Sequence, residues 1–165
     1  MDERYNIEKS TEAACEYYKD AYERFGSWTL AAASFNFGRS ATARQLERQE
    51  ADSYYNLILN QETARYIYRI LAMKLIINNP EKYGFNLREE DLYYPIPYTK
   101  VEVDTTVQDF AKFAEQFSIN YKLLKIMNPW LRENYLRNPR GKTYEIKIPK
   151  EGYRDYQKLF TRHKQ

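Results

Sequence analysis

The sequence predicts a mostly helical α+β protein, with a helical bundle through about residue 86 followed by a small βααβ module. Three observations carry this expectation. Apolar residues recur at helical spacing from Ser10 to about Phe85. The prolines of "NLREEDLYYPIPYTK" then bar a helix, and beyond them period-two alternation appears twice. With 165 residues, 43% of them hydrophobic, the chain can bury a packed core.

Ser10 or Thr11 is positioned to cap a first helix whose Ala14, Tyr17, Tyr18, Ala21 and Phe25 share one face. Gly26 ends it. Cys15 lies beside that face and reads as a small buried residue; as the single cysteine it excludes an internal disulfide. Ser27 can cap a second helix, "WTLAAASFNF", whose alanines let another helix approach closely and which Gly38 can terminate. A short polar helix follows at about 41–50. The next helix, Gln61 to Asn79, stops at Pro80. Its Ile67, Ile70, Leu71, Met73, Leu75 and Ile77 cover most faces, which predicts a central position in the bundle.

Residues 87–99 read as an extended connector rich in proline and tyrosine, and residues 100–150 as the module. Val101 and Val103 mark its first strand, Phe110, Phe113, Ala114 and Phe117 its first helix, and Leu123, Leu124, Ile126 and Met127 its second, which breaks at Asn128-Pro129. Tyr144, Ile146 and Ile148 lie on one face of a closing strand. Residues 151–165 read as an amphipathic tail, with a helix or turn from Tyr153 to Phe160.

Charge is balanced, 26 basic against 23 acidic residues, and no basic block appears, which argues against nucleic acid as a partner. The most apolar run, Tyr66 to Ile77, is broken by Arg69 and Lys74 and is too short for a transmembrane segment. The one histidine, His163, is near the end, and no metal-ligand spacing, phosphate loop or nucleophile triad is present, so neither metal nor cofactor is expected. The 17 tyrosines suit both sugar-facing walls and ordinary half-buried packing.

"WTLAAASFNFG" resembles the "lAlAAYNAG" segment of the lytic murein transglycosylases, goose-lysozyme-like enzymes that cleave peptidoglycan. "LNQETARYIYRILAMKLIINNPEKYGF" is similar to a second segment of that family, and the resemblance covers roughly Asp2 to Phe85. "VQDFAKFAEQFSINYKLLKIMNP" with "YEIKIP" is similar to a LysM module, a βααβ fold that binds glycans containing N-acetylglucosamine.

The resemblance implies that Phe35, Asn36, Gly38, Glu62 and Tyr66 line a substrate cleft, and that Asp109 and Asn128 belong to the LysM-like glycan site. Asn36 could orient an acetamido group, or equally tie down the backbone before Gly38. Glu62 could position a sugar, or stabilise its helix N-terminus; it reads as one of these rather than as the catalytic acid. The family's catalytic glutamate sits in a Glu-Ser motif that this sequence lacks, which implies that the chain is the C-terminal part of a longer enzyme and inactive alone. That enzyme would cleave between N-acetylmuramic acid and N-acetylglucosamine with a 1,6-anhydro product. Phe35 stands where the family has tyrosine, Phe37 where it has a small residue, and Val107-Gln108-Asp109 where it has Gly-Asp-Thr. The implied partner is peptidoglycan and the implied place the cell envelope or periplasm, with an outer-membrane anchor in sequence upstream of Met1. The alternatives are a non-enzymatic peptidoglycan-binding module and a helical interaction protein without glycan affinity. Apolar surface on the Gln61–Asn79 helix, left open without preceding helices, would favour a homodimer.

Overall fold

The computed structural model describes residues 1–155, in which two compact units form: Thr11–Leu87, and Met1–Ser10 together with Arg88 onward. The expected helix or turn from Tyr153 to Phe160 lies largely outside the described residues.

In the helical unit, α1 runs Ile7–Phe25, α2 Trp28–Phe37, α3 Arg39–Arg48 and α4 Gln61–Asn78. Helix α1 starts earlier than the Ser10/Thr11 reading because Asn6 supplies the cap, its Oδ1 accepting from the Lys9 N–H at 3.2 Å. The predicted stripe of Ala14, Tyr17, Tyr18, Ala21 and Phe25 is the shielded side of α1, whereas Cys15 is exposed, one position off that stripe. Ser27 caps α2 as expected, and Gly38 follows it at φ +89°, a conformation that strains any residue with a Cβ. Ala31, Ala33 and Ser34 are fully buried where α2 packs on α4.

Helix α4 is not central. Only Thr63 and Ile67 are buried, and Ile70, Leu71, Met73, Leu75 and Ile77 are 40–68% exposed. Its first two turns meet α2, and no described element covers the remainder, so an all-round apolar pattern did not translate into burial.

In the second unit, β1 (Tyr98–Val103) and β2 (Tyr144–Pro149) pair antiparallel, with Val101 opposite Ile146. Between them lie α5 (Phe110–Glu115) and α6 (Tyr121–Met127). Phe110, Ala114, Leu123, Leu124, Leu131, Leu136, Ile146 and Ile148 form the core. The segment Met1–Ser10 packs on this unit. Asp2 N–H donates to the Trp130 carbonyl at 3.0 Å, Glu3 pairs with Lys142 at 3.3 Å, Glu8 pairs with Lys147, and the Arg132 guanidinium lies 4.4 Å from the Tyr5 ring centre. Lys9 first, 2.6 Å away, and then Lys142 hold the Glu3 carboxyl below the usual range, and Lys147 does the same for Glu8.

Asn128 locks α6 to the sheet. Its Nδ2 donates to the Leu124 and Lys147 carbonyls (3.0 and 2.8 Å), and its Oδ1 accepts from the Lys147 N–H at 2.8 Å. Asn128→Ala should destabilise the protein by about 2–4 kcal/mol, since it strands buried backbone groups. Chemical denaturation read by Trp130 fluorescence checks this.

Candidate functional site

The cluster of interest forms where α2 ends, between α1 and α4. The buried small residues of α2 bring Tyr17 close enough for its hydroxyl to donate to the Ser34 carbonyl at 2.6 Å. The next residue, Phe35, 44% exposed, stacks on Tyr18 with ring centres 5.0 Å apart and meets Tyr17 edge-on at 5.3 Å. Tyr18 in turn shares a hydrogen bond with Tyr66 of α4. Burial first, and this bond second, push the Tyr18 phenol up to about 12. The Arg39 guanidinium lies 4.5 Å from the Tyr17 ring centre and pairs with Asp20 at 3.2 Å, closing the α1 side.

Asn36 is exposed, but its Oδ1 accepts from the buried Thr63 hydroxyl at 2.9 Å. Its side chain therefore ties α2 to α4 rather than to the turn at Gly38, where the Gly38 N–H donates instead to the Ser34 carbonyl at 2.7 Å. Asn36 Nδ2 has no partner among the described residues and remains available to a ligand acceptor.

Glu62 and Tyr66 line an open furrow of about 540 Å³ along α4, together with Arg69, Ile70, Met73 and Ile77. Phe35 and Asn36 are not in its wall. They adjoin it through Tyr18–Tyr66 and through Thr63, the residue after Glu62. The Glu62 carboxylate is more than half exposed and accepts from Arg69 at 2.5 Å. A proton-donating carboxyl needs the opposite environment, a dry apolar pocket. The helix cap is Asn60, whose Oδ1 accepts from the Thr63 N–H at 2.9 Å.

In the second unit the two residues singled out from the sequence differ: Asn128 is absorbed by the fold, while Asp109 is half-buried and lines an open groove. Asn128 is fully buried with its amide used internally, so it braces the core and presents nothing to a glycan. Asp109 caps α5, its Oδ1 accepting from the Ala111 N–H at 2.7 Å. The loop carrying Val107–Asp109 is joined to the chain before β2: Val107 and Leu136 exchange backbone bonds of 2.9 and 2.8 Å, and Asn138 Nδ2 donates to the Asp104 carbonyl at 2.7 Å.

Residues 1–58 match the family described as Transglycosylase SLT domain, and residues 99–152 that described as Soluble lytic transglycosylase C-terminal LysM-like domain. Both stretches of the chain are therefore similar to lytic transglycosylases. Proteins named membrane-bound lytic murein transglycosylase D, from Escherichia coli K12 and from Escherichia coli O6:H1, are each 27% identical to it over 155 residues. The matched region is 91% of this chain and 33% of each relative, so the chain spans about a third of their length.

Tyr18 and Thr63 join this cluster without a sequence signal of their own. Tyr18 was legible only as part of an apolar stripe, and its companionship with Phe35 depends on how closely α1 and α2 approach. Thr63 is a helix-start residue whose hydroxyl gains a tertiary partner only on folding. No helix among the described residues is long and apolar enough to cross a membrane.

The raised Tyr18 pKa has a stability consequence. Its contribution is complete below the ordinary phenol value of 10 and disappears as pH rises towards about 12. An NMR titration of tyrosine Cζ should find Tyr18 ionising near 12, and Tyr66→Phe should lower that midpoint by removing one of its two main causes.

Proposed function

We propose that this chain works in peptidoglycan remodelling, as part of a lytic transglycosylase that cleaves the N-acetylmuramic acid–N-acetylglucosamine bond with a 1,6-anhydro product. The observation that carries the reading is the ordered pair of family matches, with a ring-and-amide cluster at the end of α2. In this reading Phe35 and Tyr66 offer apolar faces to a sugar ring, and Asn36 Nδ2 donates to an acetamido carbonyl. Gly38 permits the turn that keeps the end of α2 open. Glu62, held by Arg69, borders the trough as a polar rim and takes no part in proton transfer.

The sequence contains no Glu-Ser pair, so the proton donor is assigned to another part of the enzyme and this chain supplies cleft wall and glycan contact. In this reading residues 1–86 belong to the catalytic fold, with Met1–Ser10 packed on the second unit, 87–99 connect, and 100–150 form the LysM-like module. The cell envelope is the site of action, with anchoring at the outer membrane through a region beyond this chain. A non-enzymatic wall-binding role is the second reading, favoured by the exposed and internally paired state of Glu62.

The chain alone should release no anhydro-muropeptides from purified murein, while co-sedimenting with it. Phe35→Ala and Tyr66→Ala should each weaken co-sedimentation about five- to tenfold, the size expected for losing one ring-stacking contact. Release of anhydro-sugars would refute the division of labour. Undiminished binding by both variants would refute the placement of the trough.

A further inference from the structure

The two edges of the small sheet are treated differently. Lys150 N–H donates to the Pro97 carbonyl at 2.9 Å, which sets the phase of the ladder. Thr99, Val101 and Val103 therefore bond to β2, while the backbone groups of Lys100 and Lys147, directly opposite each other, point outward. On the β2 side, Asn128 satisfies Lys147 through both its N–H and its carbonyl. On the β1 side, among the described residues, nothing pairs with the outward groups of Lys100 and Glu102, and the sheet ends there.

The side chains on the sheet's outer face are frustrated within one copy. Lys100 is opposite Lys147, and Glu102 is opposite Glu145, each a like-charge pair. Lys147 is relieved by Glu8, and Lys100 by a diagonal bridge to Glu145 at 2.7 Å. Glu102 has no cation partner among the described residues.

We propose that the free edge of β1 is a self-recognition surface, at which two copies of the chain join β1 to β1 antiparallel, centred on Val101. That register sets Lys100 of each copy against Glu102 of the other, and it matches the outward backbone groups of both residues. The alternatives are worse. A register centred on Lys100 opposes lysine to lysine, one centred on Glu102 opposes glutamate to glutamate, and one centred on Thr99 pairs no opposite charges. Beside the edge lies a groove of about 560 Å³ walled by Val101, Val103, Lys112, Phe113, Gln116 and Phe117. The inward-facing Thr99, Val101 and Val103 of the second copy are the side chains that this register delivers to it. The contact is isologous and closes after two copies, so it ends in a dimer with a four-stranded sheet rather than a fibre. It stands independently of the peptidoglycan reading.

Sedimentation of the full chain tests it. The wild type should dimerise, Glu102→Lys should raise the dimer Kd about tenfold or more by opposing lysines at both ends of the register, and the double swap Lys100→Glu/Glu102→Lys should restore it. Because Val101 meets itself in a closely spaced non-hydrogen-bonded pair, Val101→Cys should oxidise to an intermolecular disulfide. This is done in a Cys15→Ser background, since Cys15 is exposed. A wild type that is monomeric at every concentration overturns the proposal. So does a dimer indifferent to both charge variants, which would place the contact elsewhere, for example on the apolar flank of α4. Failure of the Val101→Cys chain to cross-link overturns it even where a charge variant fails to fold.

Discussion

The helical unit depends on how closely the small residues of α2 let its neighbours approach. Ala31, Ala33 and Ser34 are fully buried, as is Ala21 on α1. Small residues let backbones approach, and that approach brings the Tyr17 hydroxyl onto the Ser34 carbonyl and the Thr63 hydroxyl onto Asn36. A larger residue at Ala33 would be overpacked at a cost of about 1–3 kcal/mol and would also separate those partners. Stability and site geometry thus rest on the same constraint: the aromatic cluster exists because the helix carrying Phe35 is held at short range from both neighbours.

The two units use polar side chains for different ends. In the second, Asn128 and Asn138 spend their amides on backbone groups of the same unit, closing its loops and one sheet edge. In the first, Asn36 spends one half of its amide on Thr63 and keeps the other half outward. A buried, fully satisfied amide specifies a fold, whereas a half-satisfied exposed one can also serve recognition. This contrast is why glycan contact is assigned to the end of α2 and not to Asn128.

Much of the fold was legible because local chemistry and tertiary structure agree. Ser27 and Gly38 bound α2, Pro80 follows α4, and alternation in "TYEIKIP" gives β2 with Ile146 and Ile148 inward. What misled was information that is not local. The α4 pattern reports apolarity on all sides, but burial depends on what packs there, and only Thr63 and Ile67 receive a partner. Cys15 is small and apolar yet sits just off the packed stripe. Asn128 stands out in the sequence, but spacing alone does not distinguish an asparagine that touches a ligand from one that holds a helix to a strand, as this one does. The early start of α1 was missed because Asn6, a better-placed cap than Ser10, also closes the short 3-10 turn before it.

The central claim is that rings and an amide at the end of α2 form the sugar-contacting wall. An NMR titration of the chain with a soluble N-acetylglucosamine–N-acetylmuramic acid oligosaccharide tests it most directly. The account predicts that the Asn36 side-chain amide and the aromatic signals of Tyr18, Phe35 and Tyr66 move together along one saturation curve. Shifts confined to residues 99–152, or none at those four side chains, would contradict it.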